Sequence, residues 1–181
     1  MNLAYILIGS NIHPKLNYPK ALRRLRAIGT VIGMSSVYET APIGDKAQEP
    51  FYNGAILLET ELDAHALKRA LRIIEKQLGR VRTANLNAPR TIDLDIVLFN
   101  HATIRDADFH IPDPLILKRP FLAQVLAEIT PRYVLPGEGR TLAEIARGFG
   151  AHPSDMRLEP TATRNALNIV EHTYRGELMH A

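Results

Sequence analysis

A chain of 181 residues is long enough for one well-cored domain and too short for two ordinary ones. Its 46% apolar and 23% charged residues are those of a soluble globular protein, and the absence of cysteine excludes a disulfide framework, a cysteine-ligated metal and a thiol nucleophile. The net charge is only +3, arginine outnumbers lysine 16 to 6 and Trp is absent, which favours recognition of phosphate or carboxylate over the broad basic, aromatic field of a nucleic-acid binder.

In chain order, the first predicted element is a buried strand from Leu3 to Ile8. Its apolar run is short and has no basic residues before it, so it does not read as a signal peptide. No run is long enough to span a bilayer. A cytoplasmic location is expected, with neither a membrane nor nucleic acid as partner. Gly9-Ser10-Asn11 turns the chain into a helix with Asn17 as its cap, Pro19 in its first turn and Ala21, Leu22, Leu25 and Ile28 on one face. A second strand is expected over Val31 to Glu39, a Pro/Gly loop from Thr40 to Pro50, and a third strand from Phe51 to Glu61. Asp63 caps a helix with Leu67, Leu71, Ile74 and Leu78 inward, and Gly79 ends it.

Gly79 to Thr91 follows as a loop with three arginines and no acid. Those charges should repel one another until phosphate arrives, so the basic loop Arg80 to Arg90 is expected to be mobile when empty and to order as it closes over its ligands. The strand Ile92 to Phe99 comes next. Strict alternation puts Ile92, Leu94, Ile96 and Leu98 on one face and Asp93, Asp95, Val97 and Phe99 on the other. A short strand near Thr103 to Ile104 precedes helices over Arg119 to Glu128 and Thr141 to Phe149, the second with a Thr141/Glu144 capping box. The expected division is a domain over residues 1–150 and a C-terminal tail over 151–181, with one helix around Ala166 to Tyr174. The order β-α-β-β-α-β points to an α+β, ferredoxin-like fold with a mostly antiparallel sheet.

Asp93 and Asp95 carry the chemistry. At i and i+2 of a strand their Cα atoms lie roughly 6–7 Å apart on one face. An exposed strand end would explain one aspartate. Two, in a strand apolar on both faces and preceded by Arg80, Arg82 and Arg90, suit hard divalent cations bridged by phosphate oxygens. Paired carboxylates also serve glycoside hydrolysis, but the arginines predict an anionic ligand and a Trp-free chain lacks the usual sugar platform. Nothing matches the Walker A pattern, so any ATP site is of another kind. Phe51 and Asn53 share a face and suit a flat heterocycle, although a core aromatic beside a strand-end Asn explains them equally well.

Pro89-Arg90-Thr91-Ile92-Asp93-Leu94-Asp95-Ile96 resembles the signature of the 6-hydroxymethyl-7,8-dihydropterin pyrophosphokinase family. Gly9-Ser10-Asn11, Tyr38-Glu39-Thr40-Ala41-Pro42-Ile43-Gly44, Phe51-Tyr52-Asn53, Gly79-Arg80-Val81-Arg82 and Arg119-Pro120-Phe121 follow in the family's order, over about Met1 to Gly150. The resemblance implies a three-layer α/β/α sandwich, a monomer or weak homodimer, that transfers diphosphate from ATP to the dihydropterin in folate biosynthesis and releases AMP. The alternative is a pterin- or nucleotide-binding paralogue with weakened transfer. By resemblance, Asp93 and Asp95 hold two Mg²⁺ and, with Arg80 and Arg90, form the catalytic group. Arg72, Glu75, Arg80, Arg82, Arg90, Ile96 and Arg119 line the ATP side. Thr40, Pro42, Ile43, Phe51, Asn53, Asp93 and Phe121 form the pterin pocket. Two places depart from the family pattern: Leu86-Asn87-Ala88 stands where it has a basic residue and Trp-Gly, and Asp113 stands where many members have a His that touches ATP phosphate.

Overall fold

The computed structural model describes residues 1–42, 47–85, 87–106, 109–150 and 156–177, with side chains described up to residue 171. Strands β1 (Asn2–Ser10), β2 (Thr30–Met34), β3 (Tyr38–Thr40), β4 (Phe51–Thr60), β5 (Asp93–Phe99) and β8 (Met156–Leu158) form one antiparallel sheet. The order is β5-β1-β4-β3-β8, and β2 also pairs with β4. A separate small ladder joins β6 (Ile104–Arg105) to β7 (His110–Ile111).

Helices cover both faces, giving the expected three layers. On one face α1 (Pro14–Leu25), α2 (Ala64–Gln77) and α5 (Pro160–Glu177) pack over Ala4, Ile6, Ile8, Ile56 and Leu58. On the other, α3 (Pro120–Ile129) and α4 (Leu142–Gly148) pack over Tyr5, Ala55, Leu57 and Val97. The alternation within β1 and β4 divides the two cores, because successive side chains leave a strand on opposite sides. α2 begins at Asp63, whose side chain accepts from the Ala66 N–H, and Gly79 follows it in the left-handed region at φ 79°. Thr141 and Glu144 form the capping box of α4.

Three expectations change. α1 starts at Pro14, one turn before Asn17, and His13 stands at its N-cap; Asn17 is buried, and its amide donates to the Ile12 carbonyl at 2.7 Å. The single strand over Val31 to Glu39 is two strands, interrupted at Ser35–Val37, where Ser35 Oγ and the Ser35 N–H bond the backbone of Ala55. In β5 the register against β1 passes from Ile96 opposite Ile6 to Leu98 opposite Tyr5, so Val97 is an extra, bulged residue. Val97 stays on the α3 side as alternation requires, whereas Leu98 joins it there and Phe99 turns to the α2 side, opposite to strict alternation. Residues after 155 extend the structure: β8 pairs with β3, and Ala166 and Val170 of α5 are buried against the α1 side.

Candidate active site

The site faces the α3 side of the sheet and follows from register. Asp93 lies opposite Gly9, and Gly9 opposite Asn53; one step along, Asp95 lies opposite Leu7 and Leu7 opposite Ala55. Both carboxylates and Asn53 thus point the same way, as the period of two requires. Gly9 leaves a notch between them. A Cβ there would sit 2.7 Å from Asn53 Oδ1, a collision with a side chain that is itself held, because Asn53 Nδ2 donates to Thr40 Oγ1 at 2.7 Å. Phe51, two residues before Asn53, shares its face and carries the Arg90 guanidinium 5.5 Å from its ring centroid.

Arg90 is anchored at both ends. Its guanidinium bonds Asp93 Oδ2, and its N–H donates to Asn11 Oδ1 at 2.7 Å. Asn11 also donates to Gln48 Oε1 and the Glu49 carbonyl, tying the turn after β1 to the loop before β4. This buried Asn is a positioning residue that sequence reading reduced to a turn; its place between Gly9-Ser10 and a helix was the available signal. Arg80 Nη2 lies 3.7 Å from Asp93 Oδ1 with its side chain 11% exposed, and burial lowers its pKa. Its Nε is buried and bonds nothing among the described residues, a donor that a phosphate oxygen would satisfy.

Glu75 is the largest surprise. It reaches the outer edge of β5 from α2, accepts the Leu94 N–H at 2.9 Å and holds Arg82 at 2.6 Å. Its side chain is 2% exposed, and burial pushes its carboxyl above the usual range against the pull of the Leu94 N–H. The arginines of the 80–90 loop face acids from α2 and β5, Glu75 for Arg82 and Asp93 for Arg80 and Arg90, so the repulsion that Arg82 and Arg90 exert on Arg80 is offset before any phosphate arrives. No spacing in the loop itself announces those partners; residue 86 lies outside the described residues.

The other predicted residues are placed as follows. Arg72 is exposed on α2, and the Ile96 side chain is buried in the α2-side core. Arg119 is the N-cap residue of α3, exposed, and Phe121 in the first turn packs against the α3-side core. Pro42 is half-buried just after β3; Ile43 lies outside the described residues. Asp113 caps the 3₁₀ turn Pro114–Leu117 through the Leu115 N–H and bonds the Val97 carbonyl with its own N–H, so it too lies along the outer edge of β5. Burial raises its carboxyl pKa, with the charge of Asp95 adding to the effect and Arg119 and Lys68 opposing it.

Among the described residues no three His, Cys, Asp or Glu side chains gather into a closed metal cage. Two carboxylates on one face, each held by basic side chains and not closed into a cage, are what Mg²⁺ takes when substrate phosphates and water complete its shell, so the donor set fits that ion. The family model for 7,8-dihydro-6-hydroxymethylpterin-pyrophosphokinase matches residues 5–131. The chain belongs to this family. It is 40% identical over 131 residues to the 2-amino-4-hydroxy-6-hydroxymethyldihydropteridine pyrophosphokinase of Bacillus subtilis, covering 71% of this chain and 78% of that protein. It is 33% identical over 179 residues to the folic acid synthesis protein FOL1 of Dictyostelium discoideum, covering 96% of this chain and 27% of that protein. Wild-type HPPK-DHPS of Plasmodium falciparum with STZ-DHP shares the fold at a TM-score of 0.67 and 15% identity, over 82% of this chain and 43% of that one. The chain thus spans about a quarter of the Dictyostelium protein and under half of the Plasmodium chain.

Phe51→Ala is expected to weaken dihydropterin binding more than ATP binding in calorimetry with each ligand. Stacking is worth roughly 1 kcal/mol beyond area burial, or about fivefold in affinity. Equal losses for both ligands would return Phe51 to the general core.

Proposed function

We propose that the chain transfers the β,γ-diphosphate of ATP to 6-hydroxymethyl-7,8-dihydropterin in folate biosynthesis. The hydroxymethyl oxygen bonds to the β-phosphorus, the bond from that phosphorus to the α-phosphate's bridging oxygen breaks, AMP leaves and the hydroxyl proton is released. The observation that carries this reading is one shared face: Asp93 and Asp95, the Gly9 notch, Asn53 and Phe51, with Arg80, Arg82 and Arg90 at the end beside them.

Asp93 and Asp95 would hold two Mg²⁺, which when bound neutralise charge on the transferring group. Arg80 and Arg90 brace Asp93 from two sides and offer guanidinium donors to phosphate. Arg82, 57% exposed, reaches the phosphate side while Glu75 holds its orientation. Arg72 and Arg119 add charge on the exposed ATP side, and Glu75 and Ile96 shape it from beneath. Thr40 orients Asn53, whose amide meets the pterin edge; Phe51 stacks on the ring, and Pro42, Ile43 and Phe121 close the slot. The attacking alcohol is ordinary, so positioning and electrostatics supply most of the rate.

The reading places the protein in the cytoplasm as a monomer or weak homodimer acting on small molecules, with no nucleic-acid partner. No helix among the described residues is long and apolar enough to cross a membrane. The deciding experiment is AMP release from ATP and Mg²⁺ with and without 6-hydroxymethyl-7,8-dihydropterin. Pterin-dependent AMP is the expected result. Binding of both ligands without AMP release would replace the transferase with a binding paralogue.

A further inference from the structure

Lys68 belongs to the site although nothing in its sequence neighbourhood marks it. It sits on α2 beside the buried Leu67 and reaches around the open edge of β5, where its ammonium lies 3.1 Å from Asp95 Oδ1. Its side chain is 13% exposed against 46% for Asp95, and the Phe109 ring lies 6.0 Å from the nitrogen. The ammonium is therefore partly desolvated at one carboxylate oxygen. Asp113 lies within electrostatic reach of both Asp95 and Lys68, so the cation serves two carboxylates on this edge. Asp93 has separate counter-charges, Arg80 and Arg90. The two metal-facing aspartates thus differ: arginine forks hold one, and a single flexible lysine holds the other.

An oxygen that holds an ammonium is contested ground for a metal ion. A free divalent ion must displace Lys68 and shed water, and Mg²⁺ loses water reluctantly. An ion that arrives on a triphosphate brings negative charge with it, and the displaced ammonium finds a new partner there. Lysine suits such an exchange, being a compact point charge on a four-carbon stem with rotatable donors. We propose that Lys68 is a positioning residue that holds Asp95 against free divalent cations and releases it to a cation delivered with nucleotide phosphates. The inference rests on the diphosphate-transfer reading above. It makes metal binding and nucleotide binding reinforce each other through one side chain, and such coupling is reciprocal by linkage.

The test is Mn²⁺ binding to the full chain, followed by electron paramagnetic resonance, with and without α,β-methylene-ATP. Without nucleotide, Lys68→Met should bind Mn²⁺ roughly threefold to tenfold more tightly than wild type, the range expected for removing one cation from a half-exposed carboxylate. Its affinity for the Mn²⁺–analogue complex should fall by a similar factor, so the coupling shrinks. Lys68→Arg keeps the charge and should track the wild type without nucleotide. Thermal melting checks each fold, and Lys68→Gln replaces the Met variant if that one melts early. If the charge-removing variant binds free Mn²⁺ no more tightly than wild type, the assignment of Lys68 is overturned while the transfer reading stands. If wild type takes up no Mn²⁺–analogue complex, the transfer reading falls and the role of Lys68 falls with it.

Discussion

Asp95→Ala is expected to lower pterin-dependent AMP release at least about a thousandfold while the protein stays folded. The carboxylate is half-exposed and outside both cores, so its loss opens no cavity. Its ion pair with Lys68 is partly in solvent, where such pairs contribute about 0–1 kcal/mol, and removing one of the carboxylates on this edge relieves repulsion from Asp93 and Asp113. Melting temperature should therefore move little. Turnover should move far, because metal assistance at a transferring phosphoryl group is worth several kcal/mol and each 1.36 kcal/mol is tenfold. Steady-state AMP release beside a thermal melt measures both. Activity within tenfold of wild type would remove Asp95 from the metal site.

Glu75→Ala should act the other way round, with its main effect on stability. Glu75 satisfies the Leu94 N–H on the outer edge of β5, where no further strand pairs among the described residues, and the carboxylate itself is buried. Truncation strands a buried donor, at about 1–3 kcal/mol, and frees Arg82 from its acceptor. Arg82 is mostly in solvent, so its loss of partner adds little to stability. A total of about 1–3 kcal/mol corresponds to roughly 2–12 °C in a chain of this size. Glu75→Gln keeps an oxygen for the Leu94 N–H and should lose about 1 kcal/mol. Denaturant titration of both variants decides the point: equal losses for Ala and Gln would mean that the bond to Leu94 does not hold the strand edge. The buried acid also orients Arg82, so both variants should lower turnover without a matching loss of pterin affinity.

The candidate site was legible where chemistry is local. Asp93 and Asp95 share a face because the strand period is two, and Arg90, Arg82 and Arg80 precede them within one short stretch of chain. α2 and α4 were legible for the same reason: Asp63, and Thr141 with Glu144, satisfy helix N–H groups within three residues, a signal a single sequence contains in full. α1 was harder, since Asn17 spends its amide on Ile12 from inside the helix and only looks like a cap.

What remained depended on partners distant in sequence. The bulge at Val97 arises from pairing with β1, more than ninety residues earlier, and it reverses the faces of Leu98 and Phe99. β8 finds its register on β3 across more than a hundred residues, and neither strand's three residues would announce a sheet edge alone. Glu75 and Lys68 stand on exposed-looking turns of an amphipathic helix; only the docking of α2 beside the open edge of β5 turns one into a buried acceptor and the other into the counter-ion of Asp95. The sequence by itself determined the family, the layers and the paired carboxylates, because periodicity, caps and a compact motif are properties of neighbouring residues. The tertiary structure alone decided which acids meet the arginines and which cation holds Asp95, because electrostatic partnership depends on distance in space, and the chain brings those groups together only when the edge of the sheet is packed.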